Sequence, residues 1–137
     1  MADIAITSIK LVSGQLKDNL ICGETIALGA PVYSDSADQD KLKNGDGTDS
    51  GKDDIVGIAL IAGEAGHKGV VAIDRCRVKV DATLTVGEQY VLSASGTAGK
   101  IAPIGDLIAG NYPCTIFTAV STSEATVKIH RTGVAKA

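Results

Sequence analysis

Short runs of alternating apolar and polar residues fill most of this chain, and β-branched residues dominate those runs. Ile and Val together number 26, against 9 Leu. β-Branched side chains fit a pleated sheet and lose rotamer freedom in a helix. No window keeps a helical period of 3.6 residues for more than about three turns. We therefore predict an all-β fold, a compact barrel or sandwich of short strands with little or no helix.

The same pattern places the strands between glycine-rich turns. Strands are expected at residues 4–12, 25–35, 55–62, 70–80, 89–94, 112–120 and 126–130. The segment 55–62 is almost entirely apolar, which is typical of a central strand buried on both faces. The segment 34–54 is rich in Asp, Ser, Gly and Lys, so we expect it to form an exposed, mobile loop.

The chain also repeats itself with a shift of about 58 residues. Residues 28–33 resemble residues 86–91, and residues 55–59 correspond to residues 115–119 in position and kind. Each half reads as turn, strand, polar hairpin, strand, gap and strand. We predict one domain, 1–137, with an N-terminal arm or edge strand at 1–20. Internal repeats are expected at 21–82 and 83–131, followed by a tail at 132–137.

Length and composition narrow the function classes. The 137 residues suffice for one hydrophobic core without a disulfide or metal scaffold. The net charge of −3 is well mixed, which argues against nucleic acid or an anionic membrane as the main partner. An aromatic content of 3% disfavours a ligand-binding module, since ligand and sugar sites use aromatic walls. The first residues lack the basic start and apolar run of a secretion signal, so we expect synthesis in the cytoplasm.

No catalytic, cofactor or metal site emerges from the motifs. Cys22, Cys76 and Cys114 are too widely spaced for a zinc motif, and we expect them to be buried and reduced. Residues 46–51 have the oxygen spacing of an EF-hand loop, but position 12 is Gly57 and no helices flank the segment. Residues 63–69 lack the spacing of a phosphate loop, so a turn is the better interpretation.

Nucleophilic catalysis is the least supported class. No G-x-S-x-G motif is present, and the two histidines, His67 and His130, fall in a loop and on a strand face. A Cys–His pair formed in space is the alternative that the sequence leaves open. We predict a protein that is not an enzyme.

Two segments are candidates for contact with a partner. Arg75, Arg77 and Lys79 fall on one face of the predicted strand 70–80, either as a solvated face or as a basic stripe that docks onto acidic groups of another protein. The arm before the first repeat carries four apolar side chains that need cover. It is either an edge strand of this domain or a strand added to a partner's sheet. The four side chains are Ile4, Ile6, Ile9 and Leu11.

Three sequence segments resemble a known protein family. They are Gly-Glu-Thr-Ile-Ala-Leu-Gly-Ala-Pro-Val-Tyr at 23–33, Ile-Val-Gly-Ile-Ala at 55–59, and Thr-Leu-Thr-Val-Gly-Glu-Gln-Tyr-Val-Leu-Ser at 83–93. With the soluble Asp/Ser/Lys segment between the first two, they resemble the decoration, or cement, proteins of tailed-bacteriophage capsids over about residues 20–130. The resemblance lies in the rhythm of the sequence, with no single diagnostic residue and no catalytic residue to carry over.

The resemblance implies a homotrimer that binds the major capsid protein on the outer surface of the virion. Its role would be to stabilise the shell by bridging capsomers, after synthesis in the host cytoplasm. The alternatives are another virion component, such as a tail, fibre or baseplate module, and a β-type ligand-binding module. Long fibres would show extended low-complexity repeats, which this sequence lacks.

Overall fold

The fold is all-β, as the sequence predicts, and the described residues form eleven strands in two antiparallel sheets. The computed structural model describes residues 3–94, 98–132 and 134–136. The strands are β1 Ile9–Ser13, β2 Leu16–Ile21, β3 Pro31–Asp35, β4 Lys41–Asn44, β5 Ile55–Ala59, β6 Lys68–Ala72, β7 Arg77–Val80, β8 Gln89–Leu92, β9 Ile101–Pro103, β10 Cys114–Ala119 and β11 Glu124–Arg131. Helical structure in the described residues is limited to two 3-10 turns, at Ser36–Asp38 and Ile104–Asp106.

The two sheets have the same strand order. The five-stranded sheet runs β2-β6-β5-β3-β4, and the six-stranded sheet runs β1-β7-β11-β10-β8-β9. If β2, β3, β4, β5 and β6 are matched in order with β7, β8, β9, β10 and β11, the two strand orders are identical. β1 is then the additional strand of the six-stranded sheet. The sequence correspondences at 28–33 with 86–91 and at 55–59 with 115–119 fall on β3 with β8 and on β5 with β10.

Backbone contacts show the same correspondence at the turn before β3 and before β8. Gly29 has a φ of +78° and donates its N–H to Ala59 at 2.7 Å. Gly87 has a φ of +82° and donates its N–H to Ala119 at 2.9 Å. Glycine adopts this left-handed conformation without the steric cost that other residues meet. When β2 to β6 are matched with β7 to β11, the two halves meet at the turn 73–76. The sequence predicts this boundary at residue 82.

The N-terminal segment joins the two sheets. β1 pairs with β7 in one sheet, β2 pairs with β6 in the other, and Gly14 and Gln15 connect them. Ile4 forms an isolated bridge with Ile101 of β9. Residues 4–13 therefore contact both β7 and β9, the two strands at the ends of the order β7-β11-β10-β8-β9. β2 escaped the sequence analysis because all its side chains except that of Leu20 are exposed and a bulge near Asn19 (φ +60°) interrupts its alternation.

Two hydrophobic clusters form the core. The larger one combines the inner side chains of the six-stranded sheet, such as Phe117 and Val127, with Ile58 and Ala72 of the five-stranded sheet. The smaller one lies in the five-stranded sheet and includes Leu42. Because the larger cluster takes side chains from both sheets, the halves pack against each other, and the arrangement is compatible with a sandwich.

The prediction of one exposed loop at 34–54 is wrong. β3 continues to Asp35, a 3-10 turn follows, and β4 returns along β3 as a hairpin. Leu42 is fully buried in the smaller core, and Asp53 is fully buried as well. A single inward residue in a polar strand is enough to anchor that strand, and average polarity hides it.

The prediction of one strand at 70–80 is also wrong. β6 ends at Ala72, and the N–H of Cys76 donates to the carbonyl of Ile73 at 3.3 Å across a turn. Arg75 lies in this turn with a φ of +72°. The turn is needed because β6 belongs to one sheet and β7 to the other, so the chain changes direction between them.

The C-terminal tail lies against the loop after the second 3-10 turn. The N–H of Lys136 donates to the carbonyl of Asn111 at 2.7 Å, and the N–H of Gly110 donates to the carbonyl of Lys136 at 2.8 Å. Residues 1, 2, 95–97, 133 and 137, which include parts of the predicted arm, second repeat and tail, lie outside the described residues.

Candidate interaction surfaces

The four apolar side chains of the N-terminal arm pack inside the protein's own fold. Ile4, Ile6, Ile9 and Leu11 are partly buried against the larger core. Ile9 and Leu11 lie opposite Val80 and Val78 in the pairing of β1 with β7. Ile9 and Leu11 therefore lie in an edge strand of the same domain, and Ile4 and Ile6 lie in the segment before that strand.

The break between Ile6 and Ile9 has a specific cause. The carboxylate of Asp81 accepts the N–H of Thr7 at 2.9 Å, the N–H of Ser8 at 3.1 Å and the hydroxyl proton of Thr7. These hydrogen bonds lower the pKa of Asp81, that of the Thr7 hydroxyl having the largest effect. Asp81 therefore fixes the bend that lets the arm leave β9 and join β7.

Arg77 and Lys79 occupy the outer face of β7, as the alternation predicts, with Val78 and Val80 buried beneath them. Arg75 is not on that strand. It still borders the same surface, because its N–H donates to the carbonyl of Val127 at 2.8 Å, and it lines one shallow depression together with Thr126 and Lys128. Arg75, Arg77 and Lys79 are therefore near one another, although Arg75 lies in the turn before β7 and not on that strand.

The same sheet face carries two further cations that the sequence analysis did not single out. Lys10 of β1 lies directly opposite Lys79, and Lys128 of β11 is exposed beside Arg75. We call Lys10, Arg75, Arg77, Lys79 and Lys128 the cationic face. The signal that could have found Lys10 is register, since alternation on β1 and β7 cannot reveal which residues face each other until the strands are paired.

The EF-hand-like spacing at 46–51 has a local explanation. One carboxylate oxygen of Asp46 accepts the N–H of Thr48 at 2.9 Å and its hydroxyl at 2.7 Å. The carboxylate of Asp49 accepts the N–H of Gly51 at 2.8 Å. Asp two residues before an N–H is the usual arrangement of an Asx turn. Over the part of the chain that the structure describes, no group of three or more His, Cys, Asp or Glu side chains is placed to hold a metal ion.

The segment 63–67 lies in the turn between β5 and β6, and residues 68 and 69 already belong to β6. The N–H of His67 donates to the carbonyl of Glu64 at 2.9 Å, and the N–H of Gly66 donates to the carbonyl of Cys22 at 2.8 Å. His67 and His130 are both exposed. No α-helix among the described residues is long and apolar enough to cross a membrane.

The three cysteines are buried free thiols, as predicted. Burial raises the pKa of the Cys114 thiol to about 12 and also raises that of Cys22. The Sγ of Cys76 donates to the carbonyl of Gln15 at 2.8 Å, so this thiol helps to hold the junction between β1 and β2. A thiol with a raised pKa is a poor nucleophile at neutral pH.

An ion pair between the buried carboxylate of Asp53 and the exposed side chain of Arg131 connects the two halves. The Oδ1 of Asp53 accepts the Nε proton of Arg131 at 2.9 Å, and the Nη2 of Arg131 donates to the carbonyl of Ser50 at 2.8 Å. The sequence predicts an exposed loop at Asp53. Only the tertiary structure brings the end of β11 beside it.

Comparison with known proteins adds no family. No protein-family model matches the chain, and no curated protein sequence matches it. The fold defines an all-β protein of two antiparallel sheets, compatible with a sandwich. Because one fold supports many functions, the function has to be argued from surfaces and sequence.

Proposed function

We propose that the protein is a structural virion component, a decoration protein that binds the outer surface of a phage capsid and stabilises the shell. The observation that carries the proposal is the resemblance of residues 23–33, 55–59 and 83–93 to the decoration proteins of tailed phages. The first and last of these segments, 23–33 and 83–93, lie on corresponding turns and strands of the two sheets, around Gly29 and Gly87. Two similar β-rich halves are a property that the resemblance implies.

We also propose that the halves arose by duplication of one β unit. The shared strand order supports this, together with the matched hydrogen bonds of Gly29 to Ala59 and Gly87 to Ala119. The first unit would comprise β2 to β6 and the second β7 to β11, with β1 added in front. A duplicated unit gives a protein two related surfaces, which suits an object that bridges repeated subunits of a lattice.

The mechanism we propose is mechanical and involves no catalysis. A homotrimer on the outer surface would contact major capsid proteins of adjacent capsomers and bury area across their seam. Every contact that exists only in the assembled shell stabilises that shell by mass action, so the effect grows with occupancy. Neither nucleic acid nor membrane takes part in this mechanism.

Copy number in purified virions tests the proposal. Quantitative mass spectrometry should find the chain at a copy number comparable to that of the major capsid protein. A tail, fibre or baseplate component would be present in far fewer copies, and that result would contradict the proposal.

Reconstitution tests the mechanism. Empty shells stripped of the chain should rebind it until saturation, and saturated shells should rupture at a higher temperature than bare shells. Shells that bind the protein without any change in rupture temperature would remove the stabilising role.

A further inference from the structure

A groove lies at the seam between the two sheets, beside the turn 73–76. It has a volume of about 380 Å³ and is lined by residues 54–56, 73, 74, 129 and 131. We call it the seam groove. Its lining comes from the start of β5, the end of β11 and the turn that carries the chain from β6 to β7. The groove forms because the chain leaves one sheet for the other at this point.

The part of β5 that lines the seam groove has few strand partners. The pairing of β5 with β6 ends at Ile58, so β6 does not accompany the residues before it. The register with β3 shifts between Ile55 and Gly57, which makes Val56 the extra residue of a bulge. The extra residue of a bulge is left out of the ladder. Val56 is therefore outside both strand pairings of β5.

β11 loses its partner strand in the same region. Its pairing with β7 ends at Thr126. Farther along, the N–H of Ile129 donates to the carboxylate of Asp74, so a side chain takes the place of a strand. On this side, residues 128–131 pair with no strand that the structure describes. An unpaired strand edge offers its N–H and C=O groups to another extended segment.

The uncharged part of the lining is aliphatic. Val56, Ile73 and Ile129 are partly buried, and Ile73 packs against both hydrophobic clusters. The lining contains no aromatic side chain, whereas sites for small ligands usually have aromatic walls. An extended peptide can pair its backbone with a free edge while every second side chain lies against apolar residues. These features favour a peptide segment over a small molecule.

Two carboxylates lie in the lining of the groove. Asp54 and Asp74 are both exposed, and neither forms an ion pair with a residue that the structure describes. Arg75 and Lys128 share an adjoining depression with Asp74 but do not line the groove itself. Asp54 is therefore the carboxylate of the groove that is farther from these two cations in the lining, and it is available to a partner.

The cation of the lining is already engaged. The Nε of Arg131 donates to Asp53, and its Nη2 donates to the carbonyl of Ser50. The charge that the groove offers to a partner is therefore negative. Charge complementarity requires a basic residue in the bound segment, and the same carboxylates repel the phosphates of nucleic acid.

We infer that the seam groove binds an extended segment of the major capsid protein in which a basic residue lies between apolar residues. The backbone of this segment pairs with the free edge at Val56, its apolar side chains lie against Ile73 and Ile129, and its basic residue faces Asp54. The inference rests on the proposed function and names the surface through which the chain holds the shell. Strand addition of this kind obtains affinity from backbone hydrogen bonds and specificity from alternate side chains.

Hydrogen exchange of the full chain, free and bound to empty shells, tests the contact. On shells, amide exchange in the segment 54–57 should slow by about tenfold or more, because a paired N–H exchanges only when the pairing opens. The segment 36–40, which lies outside the groove in the β3–β4 hairpin, should exchange at the same rate in both states.

A charge reversal tests the expected chemistry of the partner. Asp54→Lys should weaken binding to empty shells by about tenfold or more, because it places a cation where the basic residue of the segment binds. Asp18→Lys, the same charge change on the exposed strand β2, should leave binding unchanged. Circular dichroism of both variants confirms that they are folded.

Each outcome separates this inference from the proposed function. A chain that does not bind shells contradicts the proposed function, and the inference falls with it. A chain that binds shells with unchanged exchange at 54–57 overturns the inference alone, as do equal effects of Asp54→Lys and Asp18→Lys. Protection at 54–57 that appears without shells and grows with protein concentration would assign the groove to a second copy, which also overturns the inference.

Discussion

The carboxylate of Asp53 accepts the Nε proton of Arg131 at 2.9 Å, although 78 residues separate the two in the chain. Asp53 is 0% exposed, whereas the side chain of Arg131 is 38% exposed. The Oδ2 of Asp53 is buried and has no hydrogen-bond partner among the residues that the structure describes. The buried charge therefore depends on Arg131, which ties the first half of the chain to the last strand of the second.

Removing Arg131 should destabilise the protein markedly. Arg131→Ala leaves a buried carboxylate without its cation, and we expect a loss of about 2–4 kcal/mol in the free energy of unfolding. Lys128→Ala, on the same strand and without an ion pair in the described structure, should change it by less than about 0.5 kcal/mol. Denaturant unfolding measures both values. Equal effects of the two substitutions would show that the ion pair does not contribute to the free energy of unfolding.

The N-terminal strand should be necessary for stability. Ile9→Ala and Leu11→Ala should each cost about 1–2 kcal/mol, less than a fully buried aliphatic side chain because both residues are only partly buried. Val12→Ala, at an exposed position of the same strand, is the matched control. Deleting residues 4–12 should lower the melting temperature strongly. A truncated protein with an unchanged melting temperature would show that the arm does not stabilise this domain, as expected of a strand that attaches to a partner.

Gly14 should tolerate no side chain. A Cβ at this position would lie 2.7 Å from the Cα and 2.9 Å from the Sγ of Cys76, and the φ of Gly14 is +102°. We expect Gly14→Ala to cost about 2–4 kcal/mol from backbone strain and overlap together. Gly66→Ala is the control for strain alone, because its φ is +87° and nothing lies within 4 Å of its Cβ position. Thermal unfolding should rank Gly14→Ala well below Gly66→Ala, and the reverse ranking would refute the close approach.

Asp81 should contribute to stability above its pKa and not below it. Hydrogen bonds from Thr7 and Ser8 lower the pKa of the folded carboxyl from its ordinary value of 3.8. A lowered folded pKa means that the contribution is complete above the unfolded pKa and is lost as the pH falls through the folded one. Asp81→Asn should therefore lower the melting temperature at neutral pH, and the difference from wild type should shrink below pH ~4. A difference that does not depend on pH would mean that the charge of Asp81 plays no part.

Lys10→Glu should stabilise the folded protein. It turns the directly opposed pair of lysines on β1 and β7 into an opposite-charge pair, with an expected gain of about 0.2–1 kcal/mol at low salt. Lys17→Glu makes the same charge change opposite Val71, where no such gain is expected. An equal effect of Lys10→Glu and Lys17→Glu on the free energy of unfolding would show that the repulsion between Lys10 and Lys79 has no measurable effect.

The sequence by itself determined the fold class and most strands. The excess of Ile and Val over Leu predicts β structure, and the apolar run at 55–59 is indeed a central strand between β3 and β6. The alternation of Arg77 and Lys79 with Val78 and Val80 is also correct, because period two is a local property of an extended chain. The correspondence of residues 28–33 with 86–91 could be read directly, since both turns need glycine at the same point.

Only the tertiary structure decided which segments meet. Local polarity hid the strand at 41–44, whose single inward residue, Leu42, is buried by partners far along the chain. The bend at 73–76 exists because β6 and β7 belong to different sheets, and no local pattern contains that information. The pairing of Lys10 with Lys79 and the burial of Asp53 against Arg131 likewise arise from register and packing between distant segments. Alternation shows which way a side chain points, but what lies opposite it is set by long-range pairing, and the charged surfaces of this protein depend on that pairing.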